Sequence, residues 1–320
     1  MGRRPDFDFD DEQMNETKSK TKRSWQTAAL AMRGFRLLSK ASTLTTTHRR
    51  RYSFAIARDV PNSFVQALTK YSTDDNPVDI ELARKQHDNY LDKLRNHIPT
   101  LTLPALDDHP DSIFVEDTVV AIGNRAVITN PGHPSRRGEV DTIKDILIRL
   151  GVSVTDMRDK NENAICDGGD VLYTSRHLFV GLSERTNEEA AIILSNTFDS
   201  VETIVVPFDK SNALHLKSII THMDKNTLIA PEGQLGDQVL EAMNSSQLGY
   251  DVIRLPNMLA CNVVAVNGGI LAQDGGSTES RERLLAAAAE RNLSIDFVNS
   301  SEIAKVDGAL TCCSVLLLGN

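Results

Sequence analysis

The sequence predicts an α/β protein in which five hairpin–helix–strand units close into a ring. Three observations carry this expectation. Strand-like and helix-like stretches follow one fixed order from Tyr52 onward, and the hairpins, counted from Val115, begin roughly every 46–53 residues. Four units are complete, while one strand-like stretch near each end, YSFAIAR (52–58) and TCCSVLLL (311–318), lacks a partner. Strict βαβ alternation in an open sheet gives one strand per helix, whereas here there are three.

The first complete unit reads as a hairpin over 112–130 turning at Gly123-Asn124, a helix over 134–151 and a strand over 152–157. In the helix Val140, Ile143, Ile146, Leu147 and Leu150 fall at helical spacing and Gly151 closes it. The order then recurs. Hairpins span 168–182, 215–231 and 261–273, the last turning at Asn267-Gly268; helices span 185–198, 236–246 and 278–292, and strands 202–208, 250–256 and 293–299. The two unpaired end strands, joined to the helix 79–94 and the strand 100–106, make a fifth unit whose pairing would remove the open sheet edges. Residues 59–76, with Pro61, Asp74, Asp75 and Asn76, read as a mobile segment beside the helix of that unit.

Composition narrows the function classes. The 320 residues are 40% hydrophobic and 25% charged, which excludes disordered, collagen-like and disulfide-scaffold proteins. No apolar run reaches the roughly 18 residues of a membrane span, and a net charge of −9 argues against a nucleic-acid partner. Four cysteines, two of them adjacent, form no disulfide framework and no C-x-x-C pair, so a reducing, cytoplasmic setting is expected. Residues 1–53 carry a charge of +6 and the remainder −15, dividing the chain into a basic extension and a catalytic body over 54–320. Residues 17–58 contain no acidic residue, and Leu30, Phe35, Leu37 and Leu38 share a helical face. That pattern suits a mitochondrial transit segment, especially from a start at Met32; a disordered basic tail is the alternative.

Aligning the first strand of each unit (FVEDTVV, DGGDVLY, LHLKSI, ACNVVAV, TCCSVLL) sets Glu116-Asp117, Asp167 with Asp170, His215, Cys261-Asn262 and Cys312-Cys313 at nearly corresponding positions. A ring would bring these strand beginnings together. Thiol, imidazole and carboxylate at one place are the constellation for nucleophilic catalysis. Unit position alone does not choose between Cys261 and Cys312. Asp167 and Asp170 flank Gly168-Gly169 and read equally as turn residues or site residues. Cys313, one residue beyond Cys312 on a strand, would point to the opposite face as core filler. The other histidines (His87, His97, His109, His133, His177 and His222) read as surface or packing residues, and zinc binding by His215 with thiols lacks local ligand spacing.

The stretches DHPDSIFVEDTVV, NPGHPSRRGEVD, DGGDVLY, FVGLSERTN, LHLKS and KVDGALTCCSVL are correctly ordered across residues 54–318 and resemble the dimethylarginine dimethylaminohydrolase family of the guanidino-modifying (pentein) superfamily. The resemblance implies a five-bladed α/β propeller that hydrolyses asymmetric dimethylarginine or monomethylarginine to citrulline and a methylamine. It makes Cys312 the nucleophile, His215 the proton shuttle and Glu116 the third member of the triad. Glu116 and Asp117 would bind guanidinium nitrogens, Arg136 and Arg185 clamp the α-carboxylate, and Asp111 with the backbone of Val306 hold the α-amino group, with Asp307 close by. The family's leucine contact near the first helix has no clear counterpart; Thr69 stands nearest.

The chemistry suits these types. A resonance-stabilised guanidinium carbon is a poor electrophile and calls for a thiolate. Arg suits a carboxylate clamp through its planar fork, where Arg136 is favoured over its neighbour Arg137. No step needs a metal or organic cofactor, and the expected partner is the small substrate alone, with oligomeric state open. Two other readings compete: an arginine or agmatine deiminase of the same superfamily, and a non-catalytic relative acting as a binding protein.

Overall fold

The computed structural model describes residues 52–70, 75–211 and 213–318, which all belong to one compact unit, 48–320. The basic extension and its transit reading lie outside the described residues. Among these, no helix is long and apolar enough to cross a membrane.

Fifteen strands form five three-stranded sheets. The first is built from both ends of the body: β1 (Tyr52–Arg58) lies between β15 (Val315–Leu318) and β2 (Thr100–Leu103). The others follow in chain order: β3 (Val119–Ile122), β4 (Arg125–Ile128), β5 (Ser153–Asp156); β6 (Val171–Tyr173), β7 (His177–Leu182), β8 (Glu202–Pro207); β9 (Thr221–Asp224), β10 (Thr227–Pro231), β11 (Asp251–Leu255); β12 (Val263–Val266), β13 (Gly269–Asp274), β14 (Ser294–Asn299). Every sheet has the same construction, an antiparallel hairpin pair followed by a parallel third strand. The parallel strand needs a crossover, and a helix supplies it each time: α1 (Ile80–Arg95), α2 (Val140–Arg149), α3 (Glu188–Thr197), α4 (Gln234–Ala242) and α5 (Thr278–Glu290). A short α6 (Ser301–Ala304) precedes the closing strand.

The ring closes as expected, and the open-sheet alternative falls. Residues from β15, β3, β6, β9 and β12, the first strands of the five units, all line one axial cavity of about 120 Å³. Five apolar clusters fill the spaces between neighbouring sheets; one joins Ala55, Tyr90 and Leu94 to Val264 and Leu271. The turn at Asn267-Gly268 has both residues at positive φ (49° and 90°), the conformation a tight hairpin between twisted strands requires.

Two local expectations change. The helix expected over 134–151 begins as a 3-10 turn, Pro134–Glu139, and becomes α-helical only at Val140. Pro134 starts that turn, and a Cβ at Gly138 would lie 2.7 Å from the His109 ring, so a larger residue there would have to displace that ring. The reactive residues do not sit on strands either. A 3-10 turn precedes each first strand: Val115–Thr118, Gly168–Asp170, Leu216–Ser218, Met258–Cys261 and Thr311–Cys313. In such a turn adjacent side chains are about 120° apart rather than opposed. Cys312 is half-buried and Cys313 packs in the core beside Tyr90 and Leu310. Of the segment expected to be mobile, Asn62–Gln66 forms another 3-10 turn and residues 71–74 lie outside the described residues.

Ile56 is fully buried at the centre of the closing sheet, paired to Val315 and Leu101. Ile56→Ala should lower unfolding stability by about 2–5 kcal/mol in urea titrations; a loss below about 1 kcal/mol would show that the end-strand pairing contributes little.

Candidate active site

The five turns meet at one end of the ring, and their packing explains the glycines between the two aspartates. A Cβ on Gly168 would come 2.0 Å from the Glu116 carbonyl oxygen, and one on Gly169 would come 2.5 Å from Nδ1 of His215. Neither glycine has positive φ. Their role is close approach of three turns; of the flanking aspartates, Asp167 lines the cavity that holds His215 and Asp170 does not.

Asp167 and Asp170 are both buried. Asp170 accepts hydrogen bonds from Ser183 Oγ (2.5 Å), Thr186 Oγ1 (2.7 Å) and the Leu216 N–H (2.9 Å), so it anchors the residue that follows His215. Asp167 accepts from the Gly132 N–H at 2.9 Å and meets His215 Nε2 at 3.0 Å. The carboxylate accepts a hydrogen bond from the Nε2–H, leaving the Nδ1–H as the one able to pass a proton to a bound molecule. Burial opposes a charge on His215, but Asp117, Asp167 and Asp170 outweigh it and raise its pKa to about 9. The imidazole is therefore protonated at neutral pH.

This pairing corrects the expected triad. Glu116 does not reach His215: its Oε1 pairs with Lys217 Nζ at 2.5 Å and its Oε2 accepts from Thr311 Oγ1 at 3.0 Å. It lines the axial cavity instead. Burial, only partly offset by Lys217, raises its pKa.

Asp117 faces the site. It accepts from the Gly169 N–H (2.8 Å) and pairs with Arg136 Nη1 (2.6 Å). His215 and Arg136 outweigh its burial and lower its pKa. Arg136 is inward and Arg137 exposed, as the motif indicated. Its planar fork, however, is already occupied: Nε and Nη2 both bind Glu139 (3.1 and 2.8 Å), and Nη2 also reaches the carbonyls of Asp111 and Phe114. A two-pronged clamp on a substrate carboxylate is not open to it. Arg136 holds Asp117 in place and lines the cavity. Arg185 is different. It is half-buried, lines the cavity, and its guanidinium makes no ion pair among the described residues.

One narrow cavity collects Asp111, Asp117, Arg136, Asp167, Arg185, His215, Val306, Asp307 and Cys312, with Leu68, Phe114 and Leu214 as apolar walls. Of the expected site residues, only Glu116 lies elsewhere. The leucine at the cavity is Leu68, which no sequence motif marks; Thr69 does not line the cavity and donates to Asp307 Oδ2 at 3.1 Å. Leu68 also donates its N–H to Asp111 at 3.1 Å, which fixes it over the cavity. The Cys312 thiol is pushed well above its ordinary pKa by burial and by the charges of Glu116 and Asp117. Cys261, its counterpart in the fourth unit, is fully buried in the core and outside the cavity. Oxygen and nitrogen atoms of Asp117, Asp167 and His215 lie within 4.8 Å of one another. Each is committed to a hydrogen bond or ion pair, and the charge on His215 opposes metal ligation.

The sequence profile described as N,N dimethylarginine dimethylhydrolase, eukaryotic, matches residues 53–291. The chain belongs to the dimethylarginine dimethylaminohydrolase family. It is 34% identical over 241 residues to the N(G),N(G)-dimethylarginine dimethylaminohydrolase of Streptomyces coelicolor, covering 75% of this chain and 88% of that one. The dimethylarginine dimethylaminohydrolase of Pseudomonas aeruginosa, solved as a Cys-to-Ser variant with citrulline, superposes with a TM-score of 0.74 at 27% identity, covering 83% of this chain and all of that one. The N-terminal domain of ArgZ, a cyanobacterial arginine dihydrolase, shares the fold at a TM-score of 0.70 and 16% identity, covering 82% and 97%.

The two carboxylates are separable by pH. Because Asp167 helps raise His215 to about 9, kcat/KM should fall above that pH as the general acid is lost. In Asp167→Asn this falling limb should move to lower pH and kcat should drop about 10²–10⁴-fold. Glu116→Gln should leave the limb in place; a shift in that variant and none in Asp167→Asn would restore Glu116 as the partner of His215.

Proposed function

We propose that the chain hydrolyses asymmetric dimethylarginine and monomethylarginine to citrulline and dimethylamine or methylamine, with Cys312 as nucleophile and His215 as acid and base. The observation that carries this reading is the convergence of Cys312, the His215–Asp167 pair and Asp117 on one cavity that also holds Arg185, whose guanidinium makes no ion pair among the described residues. Asp117 and Asp167 would receive the guanidinium nitrogens. Arg185 would take the α-carboxylate, and Asp111 with the Val306 carbonyl the α-amino group. Glu116, on the axial side of Thr311, contributes negative charge beneath the site.

In the free protein the thiol is neutral and the imidazole protonated. A bound guanidinium cation reverses the balance of charge at Cys312 and favours loss of the thiol proton to solvent. The thiolate sulfur then bonds to the guanidinium carbon. His215 gives its proton to the methylated nitrogen, which leaves as the amine with the electrons of the broken C–N bond, and an amidino-thioether remains. Neutral His215 next takes a proton from water as the oxygen adds to the same carbon. The C–S bond breaks with its electrons going to sulfur, the remaining hydroxyl proton passes to solvent, the ureido group of citrulline is released, and the Cys312 thiolate is regenerated.

Arg185 also favours an α-amino acid over agmatine, which has no carboxylate to meet it. Purified protein incubated with dimethylarginine, arginine and agmatine should form ureido product from the first. Turnover of arginine alone would support the deiminase reading. Cys312→Ser should abolish turnover and Cys313→Ser should be nearly neutral. Arg185→Ala should raise KM about 10–100-fold with a smaller effect on kcat; unchanged KM would remove it from the carboxylate site.

A further inference from the structure

Four of the five turns that meet at the site supply groups with a chemical task. The turn ahead of β12 ends at Asn262, which has none, yet its side chain is buried and its amide is bonded at both ends. Nδ2 donates to the Lys217 carbonyl at 3.0 Å and to Thr311 Oγ1 at 3.1 Å, while Oδ1 accepts from the Thr311 N–H at 3.1 Å. Lys217 lies in the turn that His215 opens, and Thr311 immediately precedes Cys312. One side chain thus spans the gap between the segment carrying the acid and the segment carrying the nucleophile.

The contacts also orient a third group. Because the Thr311 hydroxyl accepts from Asn262, its own proton is directed to Glu116 Oε2, whose other oxygen takes the Lys217 ammonium. Asn262, Thr311, Glu116 and Lys217 close a hydrogen-bonded loop on the axial side of the nucleophile. Only a planar amide of this length satisfies it. An apolar residue would strand the buried Thr311 N–H, and a carboxylate would lose both donated bonds.

We infer that Asn262 is a positioning residue that fixes Cys312 relative to His215, so that it acts on the bond-making steps and little on substrate affinity. This rests on Cys312 as nucleophile. Misplacement of a reacting group by about 1 Å costs on the order of 10²-fold in rate, which sets the scale expected.

The test compares Asn262→Ala with Asn257→Ala. Asn257 caps the same turn through Oδ1 and the Ala260 N–H at 3.2 Å, without touching the active site. Asn262→Ala should lower kcat about 10–100-fold with KM within about twofold of the parent. Asn257→Ala should lower Tm and leave kcat unchanged. Should Asn262→Ala fail to fold, Asn262→Ser, too short to bridge both segments, should show the same split. The inference is overturned if the folded Asn262 variant keeps kcat within about twofold, or if Asn257→Ala loses kcat equally, since general loosening would then suffice. Cys312→Ser separates the two ideas: retained turnover there defeats the nucleophile assignment and this inference with it, whereas a silent Cys312→Ser beside an unimpaired Asn262→Ala defeats only the latter.

Discussion

Antiparallel pairing of β1 with β15, which sets Ala55 opposite Leu316 and Ile56 opposite Val315, completes the fifth of five small sheets and joins the two ends of the body, although each sheet keeps two short edge strands. Each of those three-stranded sheets packs its apolar residues against a neighbouring unit rather than within itself alone. Each is completed by the cluster it shares with its neighbour, so the ring is the smallest unit that is satisfied. Closure also fixes direction. With the five first strands around one axis, the 3-10 turns ahead of them must arrive at the same end, and that is where the chemistry lies.

The charge at this end is unbalanced by design of the fold. Asp111, Glu116, Asp117, Asp167 and Asp170 crowd around Cys312 and His215, while Arg136 is committed to Asp117 and Glu139, and Lys217 to Glu116. The surplus of anions holds His215 charged and the thiol uncharged. An arriving guanidinium cation is then attracted by the same field that silences the nucleophile in its absence. Under the proposed mechanism, reactivity would depend on the substrate's own charge rather than on a standing thiolate.

Much of this was legible in the amino-acid order. The repeat, the ring closure and the meeting of thiol, imidazole and carboxylate follow from hydrophobic pattern and unit alignment, whereas the choice of Cys312 over Cys261 comes from the family resemblance. What pattern could not decide was which of several carboxylates serves which partner. Glu116, Asp117 and Asp167 sit at matching positions, and the choice turns on sub-ångström packing of Gly168 and Gly169 against neighbouring turns. Arg136 shows the same limit. Its motif indicated an inward arginine but not that Glu139, three residues on, already fills its fork. Asn262 gave no chemical signal, since an amide that only braces others looks like any buried polar residue.

The closing sheet has a consequence for how activity arises. Ser53 Oγ and the Leu317 carbonyl, 264 residues apart in sequence, are hydrogen-bonded within it at 3.4 Å. Contacts of such separation carry a large loop-closure entropy and are slow to form. Cys312 lies three residues before β15, so its final placement waits on that same step. The placement of Cys312 is therefore tied to the pairing that joins the two ends of the body, so a change that weakens ring closure should also loosen the proposed nucleophile.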